Sequence, residues 1–324
     1  MSGPQIRIAP QTRGGTSAAS PLVTVAISTR NRGRLIKETL EALLAVHQPG
    51  VEILVADQST DDRTLEAVEE VAAGDPRVRY ERSSQVGLSR GRNFALHSSH
   101  AEVIAYTDDD CIVTPEWLPT IMKEFADPEI AAVYGRLLPY EGTDRTGIEV
   151  GFKPSLVRSE YRVRTPGWYI GHGGNMAFRR SALLEVGGFD PLLSAGAELA
   201  SGEDSDIAHR LLAAGKTVVY SGEALAFHKH WKDWPAQRRM ERAYGIGAGA
   251  EFAKYMRCRE LYGLQLLALW VWQLGVRRLG SGILKWRSAR VMYLGYCQLV
   301  YPWLGIAKSL RYRVDQKTIT FVDP

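Results

Sequence analysis

The sequence predicts an α/β fold: a mostly parallel sheet flanked by helices, followed by a C-terminal helical extension. Three observations carry this. Short apolar runs alternate with amphipathic stretches from Val23 to about Phe125, acidic residues stand where those runs end, and beyond Trp234 the strand-like runs give way to long helical periodicity. A β-α-β-α rhythm builds parallel strands covered on both faces. Such sheets bind ligands outside the carboxyl ends of their strands, so Asp57 and the triplet Asp108-Asp109-Asp110 are expected to share one crevice.

The elements follow in order. Val23–Ile27 is a short β-branched run and reads as a buried strand; Arg34 to Val46 reads as an amphipathic helix. Val51–Ala56 is a second strand and Asp61 to Ala73 a second helix. Val78–Tyr80, Leu88 to Ser98 and Val103–Tyr106 continue as strand, helix and strand. The middle is less regular. Ala131–Tyr134 reads as a strand, and residues 140–168 are polar and turn-rich, the signature of a mobile loop. Gly171-His172-Gly173-Gly174-Asn175 leads into Met176-Ala177-Phe178 and a short helix from Arg179. Glu203 to Ala214 is a helix with Ile207, Leu211 and Leu212 on one face, and Val218–Tyr220 is a late strand. Helices are then expected over about 236–257, 261–278 and 288–310.

This divides the chain into a polar, Gly/Ser/Thr/Pro/Gln-rich tail over 1–20 that reads as disordered, an α/β domain over 21–235, and a basic helical region over 236–324. The tail lacks the apolar stretch of a signal peptide. Three scattered cysteines, with no metal-type spacing, exclude a zinc site or disulfide framework and suit a reducing cytosol. The net charge of +4 hides an asymmetry: Lys229 to Arg313 carries 16 Lys/Arg against 4 Asp/Glu, and six of the eight tryptophans fall there. Basic residues interleaved with Trp suit an anionic membrane surface more than nucleic acid. The near-apolar runs 261–276 and 291–307 are marginal as membrane spans, which need about 20 residues, and the second contains Pro302. Helices lying in the membrane interface are the favoured reading; a short inserted hairpin and a soluble helical subdomain are the alternatives.

Three adjacent carboxylates at a strand end repel one another and are costly to bury. A cation resolves the conflict, and hard oxygen ligands suit Mn²⁺ or Mg²⁺ bridging to substrate phosphates. The alternative is a solvated acidic turn. Asp204 opens a helix, where the macrodipole favours an anion able to accept a proton. Ser201-Gly202-Glu203-Asp204 also has the Ser-x-x-acid spacing of a capping box.

Taken together, the motifs Val23–Arg32, Asp57-Gln58-Ser59-Thr60-Asp61, Gly87 with Arg92-Asn93, Asp108-Asp109-Asp110, Gly173 to Arg180 with Gly187-Gly188-Phe189-Asp190, and Glu203-Asp204 with Arg210-Leu211 resemble family 2 glycosyltransferases of the GT-A fold over about residues 22–232. The resemblance implies inverting transfer from a nucleotide-diphosphate sugar, a UDP-sugar first among them, to a glycan or lipid-linked acceptor; the basic, Trp-rich end motivates the lipid and the cytosolic face of a membrane, and the lack of a processive motif with too few apolar spans argues for transfer of one sugar. It implies Thr29, Arg30, Asn31, Asp57, Arg92, Asp108 and Asp109 at the nucleotide, with Asp57 accepting from the base and Arg92 near the diphosphate. Asp110, Asp108 and His228 would hold the metal. Asp204 would be the general base with Glu203 beside it, and Gly174, Asn175 and Trp231 would meet the sugars. The second-loop motif is one residue shorter than the common form, and no Gln/Arg-x-x-Arg-Trp motif of processive synthases is present. Gly245-Ile246-Gly247-Ala248-Gly249-Ala250 fits a dinucleotide fingerprint but follows a charged helix rather than a strand, so it reads as close helix packing or a kink. Two other readings stay open: a sugar nucleotidyltransferase and a non-catalytic membrane adaptor.

Overall fold

The computed structural model describes residues 21–140, 148–149, 153–229 and 231–322; the 1–20 tail lies outside them. The chain runs β1 (Val23–Thr29), α1 (Gly33–Leu44), β2 (Val51–Asp57), α2 (Arg63–Ala72), β3 (Val78–Arg82), α3 (Leu88–Ser98) and β4 (Val103–Asp108). These are the helices and strands the alternating pattern predicts, with ends moved by no more than two residues. There follow β5 (Cys111–Val113), α4 (Trp117–Glu124), β6 (Ile130–Pro139), β7 (Ile148–Glu149), β8 (Ser159–Tyr161), β9 (Asn175–Arg179), α5 (Arg180–Glu185), α6 (Glu203–Ala213), β10 (Thr217–His228) and β11 (Trp231–Lys232). The C-terminal part is α7 (Trp234–Arg257), α8 (Tyr262–Trp270), a π-turn over Val271–Val276, α9 (Arg277–Leu284), α10 (Ala289–Ser309) and a hairpin of β12 (Arg313–Asp315) and β13 (Thr320–Val322).

The main sheet has nine strands in the order β3-β2-β1-β4-β9-β6-β10-β5, with β8 also on β10. β3, β2, β1 and β4 are mutually parallel, as are β6 and β10; β9 runs antiparallel between β4 and β6. Strand alternation divides the core in two. Val25, Ile27, Val103 and Ala105 join one buried cluster; Ala26, Ile104 and Tyr106 join the other, on the opposite face. β10 carries an irregularity between Ser221 and Leu225 and pairs β8 with its first half and β5 with its last. Its register sets His228 against Cys111, which brings a residue 118 positions away to the end of the Asp triplet.

The expected loop over 140–168 is corrected in part. Residues 141–147 and 150–152 lie outside the description, but Lys153 bridges to Leu137 and β8 pairs with β10, so 153–161 is held by backbone hydrogen bonds. The apolar Gly245–Ala250 stretch is helix packing: a Cβ on Gly249 would lie 1.9 Å from the Pro302 carbonyl oxygen, and one on Gly305 1.9 Å from that of Ile246. Only glycine lets α7 and α10 approach this closely. Lys254 of α7 is fully buried and joins Asp190 at 2.8 Å and Asp206 of α6 at 2.6 Å, tying the helical region to the sheet domain.

Among the described residues no helix is long and apolar enough to cross a membrane. The helices α8 to α10 nevertheless expose Trp272, Leu284, Trp286 and Trp303 at 57%, 83%, 61% and 57%.

Candidate active site

The carboxyl ends of β1, β2 and β4 meet at the acidic residues, as the topology requires. Thr29, the last residue of β1, donates through Oγ1 to Asp109 Oδ2 at 2.6 Å. The next turn uses Asn31 in a left-handed conformation, φ 56°, which swings Arg32 back over the triplet. Its guanidinium donates to Asp109 Oδ1 at 2.6 Å and to Asp110 Oδ2 at 2.7 Å. The repulsion expected among the three carboxylates is thus met in part by a protein cation. Burial pushes the Asp109 carboxyl up to about 7 against the opposing pull of Arg32. Arg32 was not among the residues expected at the site; Arg30, which was, is exposed. The missed signal was positional, because Arg32 caps α1 one residue past the turn that Asn31 makes.

Asn31 also donates its backbone N–H to Ser59 Oγ and accepts from the Thr60 N–H, so the first and second loops are stitched together. Asp57 is fully buried, accepting from Ser59 and from the Tyr80 hydroxyl at 2.6 Å. Asp57, expected at the nucleobase, thus anchors the second loop from a buried position at the end of β2.

Asp108, Asp110, Cys111 and His228 place one ligand atom each within 4.8 Å of one another, and His228 Nε2 lies 3.3 Å from Asp110 Oδ1. Two carboxylates and an imidazole fit Mn²⁺ or Mg²⁺, the nitrogen favouring Mn²⁺. Cys111 is an addition from the fold, carried there by β5. Its thiol is fully buried and pushed well above the ordinary thiol range by burial and by Asp108 and Asp110, which leaves the oxygen and nitrogen donors as the fitting set. Gly174 makes room beside them: a Cβ there would sit 3.1 Å from both Asp108 Oδ2 and Cys111 Sγ.

Arg92, expected near the diphosphate, lines the cavity from a buried position. It is 2% exposed and donates to Glu203 Oε1 at 3.0 Å, Asp108 Oδ1 at 3.1 Å and the Gly173 carbonyl at 3.1 Å. Burial, with Asp204 beside it, raises the Glu203 carboxyl to about 7 although Arg92 pulls it down. Asp204 forms no capping box. Gly202 is the N-cap, Ser201 Oγ donates to the Ala243 carbonyl, and Asp204 Oδ2 instead accepts the Gly173 N–H at 2.9 Å. Asp204 Oδ1 takes the Ser205 N–H at 2.8 Å.

A cavity of about 760 Å³ joins these groups. Asp108, His228, Gly174, Glu203 and Asp204 line it, and its far wall is the α7 face of Ala236, Arg239, Met240, Ala243 and Tyr244. Asn175, expected at a sugar, does not reach it. Asn175 is fully buried, accepting from Trp117 Nε1 and donating to the Arg136 and Ala224 carbonyls, so it clamps the sheet. Trp231 lies in β11, paired with Glu149 of β7; its side chain lies outside the described residues.

Residues 24–187 match the profile of glycosyl transferase family 2. The chain is 28% identical over 229 residues to pre-mycofactocin glycosyltransferase of Mycobacterium tuberculosis, covering 67% of this chain but only 45% of that protein. It is 22% identical over 246 residues to glucosyl-dolichyl phosphate glucuronosyltransferase of Haloferax volcanii (68% and 74% covered). It is 24% identical over 235 residues to the O-antigen chain rhamnosyltransferase RfbN of Salmonella typhimurium (69% and 71%). Among solved structures, mannosyltransferase PcManGT of Pyrobaculum calidifontis with GDP-Man and Mn²⁺ superposes with a TM-score of 0.61 at 20% identity, over 90% of this chain and 88% of that one. GalNAc-T7 with UDP, GalNAc and Mn²⁺ gives 0.52 at 17% identity, over 73% and 51%. The fold is of the GT-A type.

Proposed function

This chain belongs to glycosyl transferase family 2, and on that premise we propose that it transfers one sugar, with inversion, from a nucleotide-diphosphate sugar to an acceptor hydroxyl. The observation that carries the reading is the cavity lined both by Asp204 and by Asp108 and His228 of the metal-type cluster. Asp110, His228 and Asp108 would hold Mn²⁺ or Mg²⁺, which when bound neutralises charge on the leaving diphosphate. Asp204 takes the acceptor proton. Both its oxygens are oriented by backbone N–H groups, which fix its direction while leaving lone pairs for the hydroxyl. Glu203, Arg92 and Gly173 hold Asp204 and Asp108 in register.

The donor we propose is a UDP-sugar, and the acceptor a glycan or lipid-linked saccharide, the kind of molecule for which two of the relatives are named. The exposed Trp and Leu side chains of α8–α10, beside Arg277, Arg278, Lys285, Arg287 and Arg290, support peripheral attachment to an anionic membrane surface. The division near residue 235 is then one of role: a catalytic part, and a helical part that walls the cavity and meets the membrane.

A thermal-shift panel of UDP, GDP, dTDP and CDP with and without Mn²⁺ tests the donor site, since a ligand at 100 times its Kd adds about 2.7 kcal/mol. Stabilisation by one nucleotide, only with metal and lost in Asp110→Ala, is the expected result. No effect of any nucleotide would overturn the proposal, and release of pyrophosphate instead of nucleoside diphosphate would make the protein a nucleotidyltransferase. Liposome binding that survives a combined Trp272→Ser, Trp286→Ser and Trp303→Ser change would remove the membrane part.

A further inference from the structure

Two arginines line the cavity, and they are in opposite states. Arg92 is buried and spent on Glu203, Asp108 and a carbonyl. Arg239 is exposed and has no hydrogen-bond or ion-pair partner among the described residues. Its neighbours on α7 are occupied elsewhere: the Arg238 and Arg242 guanidiniums lie 5.1 and 5.9 Å from the Tyr293 ring centre, and Arg242 donates to the Tyr293 hydroxyl. Ala236, Arg239, Met240 and Ala243 follow the i, i+3, i+4, i+7 spacing of one helix face, and all four are at the cavity wall. Arg239 is therefore placed on this wall by helix geometry, with its fork uncommitted.

The rest of the lining sharpens the contrast. Asp108, Glu203, Asp204 and Glu251 all line the cavity; Arg92 is shared between Asp108 and Glu203, and His209 holds Glu251, so a phosphorylated ligand enters a wall rich in acidic groups whose buried cations are already taken. The remaining wall is largely apolar, including Leu88, Leu137, Trp168 and Trp270, and a low local dielectric strengthens both repulsion and any compensating pair. A guanidinium fork matches phosphate oxygens bidentately. We propose that Arg239 is the phosphate-binding residue of this cavity. It takes the role that the sequence suggested for Arg92, and the assignment rests on the sugar-transfer reading above. The phosphate it grips belongs to the donor's diphosphate or to a phosphate joining the acceptor to an apolar carrier.

Titration calorimetry on the full chain separates the sources. One arm uses UDP, GDP, dTDP and CDP with Mn²⁺; the other uses farnesyl phosphate against farnesol in detergent. Arg239→Ala should weaken one phosphorylated probe by about 10- to 100-fold, the loss of a charge-assisted contact. Arg239→Lys should recover part of it, and Arg238→Ala, which removes the same charge from the adjacent position, should not weaken it. Loss in the nucleotide arm assigns the donor diphosphate; loss for farnesyl phosphate alone, with farnesol unchanged, assigns the acceptor phosphate. Unchanged affinity in both arms overturns the role of Arg239. A wild-type protein that binds no nucleotide overturns the sugar-transfer reading, while the farnesyl phosphate arm still decides Arg239; binding of neither probe overturns both.

Discussion

Lys254→Met tests the joint between the helical region and the sheet domain. The methionine keeps most of the volume, so the change removes charge and little packing. Lys254 Nζ lies 2.8 Å from Asp190 Oδ2 and 2.6 Å from Asp206 Oδ1, and all three side chains are wholly buried. Arg210 reaches Asp206 at 2.9 Å and the Val186 and Gly188 carbonyls, so without Lys254 one guanidinium must serve two carboxylates. Removing one partner of a buried ion pair costs about 3–5 kcal/mol. At roughly 2.1 cal/mol/K of unfolding entropy per residue, the 324 residues turn that into a Tm lowered by about 4–7 °C. The loss should depend on pH. Burial pushes the Asp206 carboxyl up, but Arg210 and Lys254 outweigh it and hold it below the ordinary carboxylate range. A carboxyl depressed on folding contributes stability that is fully present above its unfolded pKa and is lost as pH falls through its folded pKa. The variant gives up part of that depression, so its deficit is full at neutrality and shrinks only as pH falls below about 4, through the lowered folded range of Asp206. Urea unfolding followed by tryptophan fluorescence at several pH values measures this. A deficit under about 1 kcal/mol, or one equal at all pH values, would refute the reasoning.

Four further outcomes follow from the same contacts. Gly249→Val drives a side chain into the Pro302 carbonyl and should cost about 1–3 kcal/mol or more, read as a lower urea midpoint; Gly305→Val acts at the same helix crossing, so the two should not add. Asn175→Ala orphans the Trp117 indole N–H and two carbonyls and should destabilise by about 3 kcal/mol or more. Because the residue does not face the cavity, the nucleotide affinity of the remaining folded protein should be unchanged. Arg32→Ala leaves Asp109 and Asp110 without their shared cation; Tm in chelator should fall, and Mn²⁺ should then stabilise the variant more than it does wild type. Asp204→Asn should lower turnover by about 10²- to 10⁴-fold with nucleotide binding by calorimetry intact.

What could be read from the sequence is what short chain segments decide. β1, β2 and β4 are apolar β-branched runs whose register follows from burial on both faces, and their ends deliver Thr29, Asp57 and Asp108 to one edge. Asp108, Asp110 and His228 converge as the motif implied. What the sequence does not show is burial. Arg92, Asp57 and Asn175 look alike in sequence to residues that touch ligands, since each is polar and flanks a turn or strand end. All three are buried with their polar atoms bonded inside the protein. Nothing local distinguishes a polar residue that binds substrate from one that satisfies the backbone around the site. The β12–β13 hairpin was missed for a related reason: its short strands pair with each other, and Phe321 is buried among Leu192, Leu193, Leu199 and Ala250, its N–H bonded to Asp190, 131 residues earlier.

The same connections explain how one side of the cavity is held to the other. Gly173 gives its N–H to Asp204 and its carbonyl to Arg92, and Arg92 continues to Asp108. A single peptide unit and one guanidinium therefore span from the proposed base to the metal-type cluster. A Cβ at Gly173 would come within 2.9 Å of Arg92 Nη2, so glycine is needed for that peptide to lie against the arginine. An arginine buried for this purpose fixes distance but offers no charge to an incoming phosphate, because two carboxylates already claim it. The cation that meets substrate must come from another element with a free face. α7 supplies that face only because Lys254 and the glycine crossing with α10 hold it against the sheet domain. On this argument α7 belongs to the cavity, and a version of the protein without the C-terminal helices loses that wall.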